Sequence, residues 1–308
     1  MAGTFGDTRR RVLYNAPVSF MSVYAWFLTV VTWALIFLGG LVTSSGTGLS
    51  IPDWPRAQGR WLPPLTPEVR FEYFHRFLAG SLGILVLILL IWVSKSKKPL
   101  GIKLLVLGAF LLLLCQGLLG GITVLQGLPK PISILHALLA QTFFVFMVAF
   151  AFLVSQPSRA EIPAAKSGRK MKSLSLLTFF FVYFQLVTGA LMRHGLSKAL
   201  FIHILGAILV LIHAWILWAV SKRSETGNRL QALSFFMAIA ATAQFALGLS
   251  AFYWTWMVPP ADAGWGTEVA VVTFHQSLGA LLLGLSLGTV LHAFRLKSAP
   301  SHAHVRSL

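Results

Sequence analysis

Acidic residues are scarce in this 308-residue chain, which has 8 aspartates and glutamates against 25 lysines and arginines. Charged residues of both signs make up only 11% of the sequence, while hydrophobic residues make up 56% and the mean hydropathy is +0.78. A soluble domain of this length would need more polar residues to cover its surface. The composition therefore excludes a soluble globular protein and predicts a polytopic membrane protein.

Aspartate occurs three times, as the isolated Asp7, Asp53 and Asp262, and cysteine occurs once, as Cys115. Enzymes that transfer prenyl diphosphates bind Mg²⁺ through clustered aspartates, so isolated aspartates argue against that class. A single cysteine excludes an intramolecular disulfide. Its position inside an apolar run predicts that Cys115 is a buried small hydrophobic residue.

Eight apolar runs are long enough to cross a bilayer, which takes about 20 residues per helix. They cover residues 20–44, 70–93, 103–126, 132–155, 173–192, 199–220, 231–256 and 268–293. The first run is too long for a signal-peptide core and has no small-residue cleavage site. We therefore predict that it is the first of eight transmembrane helices.

Basic residues are distributed unevenly between the two sides of these helices. Seven lie on the side of the loops that follow odd-numbered helices: Arg56, Arg60, Arg70, Arg76, Lys130, Arg193 and Lys198. The remaining 18 of the 25 lie on the other side, so the positive-inside rule predicts that both termini are cytoplasmic. The net charge of +17 then reflects topology and lipid headgroups, and no soluble domain is predicted that would bind nucleic acid.

Matching residues recur at similar offsets in the two halves of the chain. The pairs are His75 with His203, Gln116 with Gln244, His136 with His275, and Gly40 with Gly189, at offsets of 128, 128, 139 and 149 residues. Four matches in the same order predict a tandem duplication of a four-helix bundle, with both units in parallel topology. The predicted units span residues 1–157 and 172–297, with a cytoplasmic linker at 158–171 and a cytoplasmic tail at 298–308.

The first unit is longer than the second between its first two helices. The offsets differ by 149 − 128 = 21 residues, which places the excess in the outer loop from about Ser45 to Arg70. Long ordered loops are often functional, and this one contains enough tryptophan and leucine to pack as a lid. An interfacial anchor formed by Trp54 and Trp61 is the alternative interpretation.

One histidine lies near the outer end of each even-numbered helix: His75, His136, His203 and His275. Imidazole rings on facing helices of a bundle can be axial ligands of haem iron. Zinc would favour converging ligands that include cysteine or carboxylate, and the sequence shows no such cluster. We therefore predict two haem sites, one between the first two of these histidines and one between the last two.

The first unit has further polar residues beside its first histidine. In a helix, Glu72, His75 and Arg76 lie on one face, at positions i, i+3 and i+4. A helix-start signal would explain the acid alone. The positions 128 residues later are Leu200 and Ile204, so the second unit keeps the histidine without the acid or the cation. This asymmetry predicts a reacting haem in the first unit and a bound haem in the second.

The sequence leaves the roles of the acid and the cation open. A carboxylate beside the haem could move protons or stabilise positive charge that develops in the substrate. Arg76 could pair with a haem propionate or with Glu72. His213 lies about 15 Å deeper along the sixth helix than His203, and we interpret it as a hydrogen-bonded structural residue.

These features resemble the haem A synthase family, membrane enzymes that convert haem o to haem a for terminal oxidases. The resemblance covers nearly the whole chain: eight helices, tandem units, four histidines and a Glu-x-x-His-Arg signature at residues 72–76. The segment at residues 40–55, Gly-Leu-Val-Thr-Ser-Ser-Gly-Thr-Gly-Leu-Ser-Ile-Pro-Asp-Trp-Pro, is similar to the family's first outer loop. Some members have a cysteine pair in that loop, and this chain has none there.

The resemblance implies that His75 and His136 flank the substrate, haem o, and that His203 and His275 hold haem b. It also implies that Glu72 is needed for oxidising a ring methyl to a formyl group by two successive hydroxylations. The predicted catalytic residues are thus Glu72, Arg76, His75 and His136. The predicted iron ligands are the four histidines.

The resemblance further implies an enzyme of the bacterial cytoplasmic membrane with its haem sites towards the outer face. The expected partners are membrane lipid, the prenyltransferase that forms haem o, and an electron donor. The alternative function is a di-haem b-type electron-transfer protein linked to quinol, which would have no reason to lose the acid and the arginine from one unit only. A haem transporter would place its site near the midplane instead.

Overall fold

A computed structural model of the chain describes residues 19–156, 164–165, 168–224, 226–258 and 265–298. Its helices are α1 (Phe20–Ser44), α2 (Pro67–Lys95), α3 (Leu100–Leu125), α4 (Lys130–Ser155), α5 (Gly168–Arg193), α6 (Ala199–Arg223), α7 (Asn228–Phe252) and α8 (Trp265–Phe294). A π-helical turn, Tyr253–Met257, continues α7, and the two-residue strands β1 (Ala164–Ala165) and β2 (Lys297–Ser298) pair in parallel. All eight helices are long and apolar enough to cross a membrane, which confirms the predicted all-α membrane protein with eight spans.

The helix ends differ from the predicted ends by a few residues. Helix α5 begins at Gly168 rather than at 173, and α8 begins at Trp265 rather than at 268. Hydropathy detects only the apolar part of a helix, whereas polar first turns continue beyond the hydrocarbon region. The chain termini, and most of the predicted linker and tail, lie outside the described residues.

Helix packing divides the described residues into two groups of four. Helices α1 to α4 contact one another in cyclic order, and α5 to α8 do the same. Each group has its own apolar core, with Phe150 central in the first and Met237 in the second. A third, smaller core joins the groups, where Ile36 of α1 and Phe144 of α4 pack against Ala280 of α8. Helix α8 therefore contacts both groups, through α1 and α4 on one side and α5 and α7 on the other.

Three odd-numbered helices end in the same way. Gly46, Gly127 and Gly195 follow α1, α3 and α5 with φ angles of 71°, 67° and 101°, a region that favours glycine. In each case the next residue donates its N–H to a carbonyl five residues back, as Thr47 does to Val42, which is the Schellman motif. The chain therefore reverses sharply at one end of the bundle, which we call the turn end.

The side chain of Cys115 is exposed on α3, so the prediction that it is buried was wrong. The neighbouring Leu111, Leu114 and Leu118 are exposed on the same helix. A helix that is apolar all round gives no periodic signal to separate its packed face from its lipid-facing one. The sequence therefore could not place this cysteine.

Candidate haem sites

The four predicted histidines lie within about the first three turns of the even-numbered helices, all at the turn end. Each imidazole ring packs against a glycine on the preceding odd-numbered helix. A side-chain carbon on that glycine would lie 3.0 to 3.1 Å from Cε1 of the ring, for the pairs Gly39–His75, Gly120–His136, Gly189–His203 and Gly248–His275. Because such a contact is tighter than most contacts of a side-chain carbon, a larger residue at each of these positions would have to move the histidine ring that packs there.

The second pair of histidines has the spacing of two rings that share a ligand. The ring centroids of His203 and His275 are 6.3 Å apart, and the ring planes are inclined at 77°. An imidazole nitrogen binds a metal ion at about 2 Å, so two rings on opposite sides of one ion have centres roughly 6 Å apart. The structure therefore brings these two predicted ligands together at a separation that fits one haem iron between them.

The first pair is also brought together. His75 and His136 are close enough to interact electrostatically. The Nδ1 atoms of His75, His136 and His275 are buried and have no hydrogen-bond partner among the described residues. In contrast, Nδ1 of His203 lies 3.0 Å from the hydroxyl of Thr188. Buried imidazole nitrogens without protein partners are available to a ligand, which fits the predicted haem sites.

A glutamine supports three of the four histidines. The side-chain amides of Gln116, Gln185 and Gln244 donate to the backbone carbonyls of His136, His203 and His275, at 2.9, 2.5 and 3.0 Å. Each glutamine lies four residues before the glycine that receives the ring of the same histidine. In α1 the residue four before Gly39 is Leu35, which has no side-chain amide, so the backbone carbonyl of His75 receives no glutamine from α1.

The sequence interpretation matched Gln116 with Gln244 and missed Gln185. The signal was present, because Gln185 precedes Gly189 by four residues, as Gln116 precedes Gly120. The ring contacts also correct one earlier match. Gly39, not Gly40, is the counterpart of Gly189, at an offset of 150 residues. The excess between the first two helices of the first group is therefore 150 − 128 = 22 residues rather than 21.

Glu72 and Arg76 flank His75 on α2 and contact the outer loop. Glu72 is buried, and its Oε2 accepts hydrogen bonds from the hydroxyl of Ser50 and the backbone N–H of Ile51, both at 2.9 Å. Its Oε1 accepts from the Arg76 guanidinium, so the two side chains form an ion pair. Of the two pairings of Arg76 that the sequence left open, the structure shows the one with Glu72.

The Arg76 guanidinium also donates to three backbone carbonyls of the same loop. These are Ile51 O at 2.7 Å, Asp53 O at 2.6 Å and Arg56 O at 3.2 Å. The loop is therefore attached to α2 by hydrogen bonds to both members of the ion pair. No signal in the sequence could have located these contacts, because they join residues 20 to 25 positions apart through backbone atoms.

Asp53 closes a tight turn within this loop. Its carboxylate accepts from the N–H groups of Gln58 and Gly59, at 2.6 and 2.8 Å. These bonds, first the one from Gly59, lower the pKa of Asp53 below its ordinary value of 3.8. Gln58 and Gly59 have positive φ angles of 53° and 71°, and Ala57 pairs with Arg60 across the turn. The charged carboxylate thus stabilises the conformation of the loop tip.

The second group has no equivalent of this arrangement in the described residues. Leu200 and Ile204 lie on α6 where Glu72 and Arg76 lie on α2, and only residues 194–198 separate α5 from α6. His213 lies deeper on α6, packs edge-on against Phe181 and has its Nδ1 2.9 Å from the carbonyl of Leu209. His213 is thus hydrogen-bonded within its own helix, as the sequence interpretation expected, and its structural role stays a prediction.

The chain matches a family model described as cytochrome oxidase assembly protein over residues 67–200, which include Glu72, His75, Arg76 and His136. It is 29% identical to a haem A synthase of Geobacillus kaustophilus over 284 residues, which are 87% of this chain and 86% of the relative.

A haem A synthase of Bacillus licheniformis is 28% identical over 239 residues, 75% of this chain and 78% of the relative. One of Bacillus pumilus is 32% identical over 178 residues, 56% of this chain and 58% of the relative. Together with the family model, these similarities show that the chain resembles haem A synthases over most of its length.

Proposed function

We propose that this protein is a haem A synthase, which oxidises a ring methyl of haem o to a formyl group by successive hydroxylations and so provides haem a for terminal oxidases. The observation that carries the proposal is the asymmetry between two histidine pairs at one end of the bundle. Among the described residues, only the first pair has a long loop beside it and an acid and a cation within four residues of one of its histidines. The names of the similar proteins support the same activity.

The two groups of four helices are tandem units in this proposal. The support is the repeated contact between a glycine of each odd-numbered helix and a histidine of the next helix. The unit boundaries are those predicted from the sequence, residues 1–157 and 172–297. Both termini are cytoplasmic by the distribution of basic residues, so the turn end and its histidines face the outside of a bacterial cytoplasmic membrane.

In the second unit, His203 and His275 would hold haem b. Their ring separation of 6.3 Å supports this role, and the bound haem supplies one-electron redox chemistry. Gln185 and Gln244 fix the backbone beside the two ligands. Gly189 and Gly248 leave the space for the two rings.

The first unit binds the substrate, haem o, between His75 and His136. These histidines orient the porphyrin, and Gly39 and Gly120 fix the planes of their rings. Glu72, three residues before His75, and Arg76, one residue after it, lie beside this site on α2. Lipid surrounds the protein, while a haem o-forming prenyltransferase and an electron donor are the partners that this reaction requires.

The experiment is to express the protein together with a haem o-forming enzyme and to separate the extracted haems by chromatography. The wild-type chain should produce haem A. We expect Glu72→Gln to retain haem b, to accumulate haem o or a partly oxidised haem, and to produce little haem A. Gln keeps the shape of the side chain and removes its charge. In a low-dielectric site that charge would interact with the substrate more strongly than in water.

Glu68→Gln is the matched control, because Glu68 is an exposed acid in the first turn of α2, one turn before Glu72. It should produce haem A normally. If Glu72→Gln produced a near-normal yield of haem A, Glu72 would have no role in the reaction and would only favour the start of the helix. A wild-type chain that binds two haems b and makes no haem A would favour the di-haem electron-transfer protein, which the comparisons with known proteins do not support.

A further inference from the structure

The outer loop of the first unit has a small apolar core of its own. Ile51, Ala57 and Val69 are at most 5% exposed, and the ring of Tyr73 packs against them. Ile51 and Ala57 belong to the loop, whereas Val69 and Tyr73 belong to α2. Residues 50–60, which we call the lid, are therefore packed onto the start of α2.

The first attachment of the lid is the Glu72–Arg76 pair. Glu72 already accepts hydrogen bonds from Ser50, Ile51 and Arg76, which engage both oxygens of its carboxylate. A general acid or base must reach the proton that it transfers. The contacts of Glu72 are instead those of a group that fixes the position of a loop next to His75.

The second attachment is on α3. The indole ring of Trp54 lies against Gly121, where a side-chain carbon would be 2.8 Å from Cδ2 of the ring. The preceding residue, Gly120, receives the ring of His136. The lid is thus attached beside both histidines of the first site, to α2 next to His75 and to α3 next to His136.

We propose that the Glu72–Arg76 pair and the Gly121 seat for Trp54 are two latches that hold the lid over the first histidine pair. Glu72 and Arg76 are then positioning residues, which affect the reaction through the lid. Ser50, Trp54 and Gly121 belong to the same device, although none of them touches a histidine. The effect on the reaction depends on the proposed haem A synthase activity, whereas the attachment of the lid does not.

Thiol labelling tests the attachment without any haem chemistry. In a Cys115→Ser background, Ala57→Cys introduces one thiol within the lid, at a position that is 5% exposed because it packs against α2. We expect slow reaction with a membrane-impermeant maleimide while the lid is closed. Gly121→Ala, Trp54→Ala and Arg76→Lys should each raise the rate roughly tenfold, as expected for losing packing or a hydrogen bond to a charged group.

The same helix offers a matched control. Gly117 lies one turn before Gly121, and a side-chain carbon there would have no neighbour within 4 Å, so Gly117→Ala should leave the rate unchanged. Leu62→Cys, at a position that is 77% exposed, should react rapidly in every background. Gly121→Ala should add nothing once Trp54→Ala is present, since both remove one contact. Equal rates in the Gly117 and Gly121 variants would overturn the second latch.

Haem extraction then separates positioning from proton transfer. If Glu72 acts through the lid, Ser50→Ala and Gly121→Ala should lower the haem A yield several-fold and retain haem b. If Glu72 acts directly on the substrate, these two variants should produce haem A at the level of Gly117→Ala. A lid that opens without any loss of haem A would overturn the positioning role. Absence of haem A from the wild type would refute the proposed function and leave the labelling result valid.

Discussion

The two halves of this protein share one packing contact, between a glycine and a histidine ring, and differ in the residues that surround it. In both, a glycine on an odd-numbered helix leaves room for a histidine ring on the next helix. Only the first half adds an ion pair on α2 and a loop that folds back onto it. The shared part fits haem binding, and the added part marks the half in which chemistry is expected to occur.

Removing a histidine of the second pair should have the largest effect. His203→Ala or His275→Ala should abolish the low-spin haem b spectrum, because one of the two proposed iron ligands is lost. His213→Ala is the control, since that histidine is hydrogen-bonded to its own helix. Absorption spectra of the purified variants decide the matter, and wild-type spectra from both Ala variants would show that the ligand assignment is wrong.

Shortening the outer loop should affect only the first half. Deleting about 20 residues between Ser45 and Thr66 gives the first half a connection like that between α5 and α6. We expect the variant to retain haem b and to produce no haem A. The haem b spectrum reports folding and extracted haems report product. An unchanged yield of haem A in a folded variant would contradict a role for the loop.

Replacing the glycines that contact the histidine rings should affect each half of the protein separately. Gly39→Ala or Gly120→Ala would displace a ring of the first pair, so we expect a several-fold lower haem A yield with a normal haem b spectrum. Gly248→Ala would displace His275 and should shift or weaken that spectrum. Gly80→Ala on α2, where a side-chain carbon would meet nothing within 4 Å, is the control. Equal effects on both readouts would mean that the two sites are not separate.

Acid should loosen the lid, with the smallest effect of the set. Hydrogen bonds lower the pKa of Asp53 below 3.8 in the folded protein. Its stabilising contribution is therefore complete above the unfolded value and is lost as the pH falls through the folded one. We expect the cysteine introduced by Ala57→Cys to react with a dithiodipyridine, which is active in acid, about twofold to threefold faster below pH 3.8. With Asp53→Asn this additional acid dependence should disappear.

The sequence predicted the parts of this molecule that depend on local composition. Eight apolar runs gave eight helices, and the histidine spacing placed one ring near the start of each even-numbered helix. The match of Gly40 with Gly189 was wrong by one position, because two adjacent glycines look alike until a ring contact distinguishes them. Adjacent identical residues thus limit how far an internal repeat can be aligned from the sequence alone.

The long-range contacts of the lid were not predictable in detail. The excess length of the loop suggested a lid, and the short spacing of Glu72, His75 and Arg76 suggested a shared face. That the carboxylate accepts the N–H of Ile51, and that Trp54 lies on Gly121, depends on how the loop folds back in three dimensions. Backbone atoms are the partners in most of these contacts, and backbone atoms carry no sequence signal.

The adjacent glycines of α1 serve both halves at once. Gly39 receives the ring of His75, while a side-chain carbon on Gly40 would lie 3.1 Å from the side-chain amide of Gln276, the residue that follows His275. A substitution at Gly39 would therefore affect His75 directly, and a substitution at Gly40 would affect His275 through the neighbouring Gln276. A larger residue at either position would require side chains of α2 or α8 to shift, so the packing of α1 couples the two histidine sites.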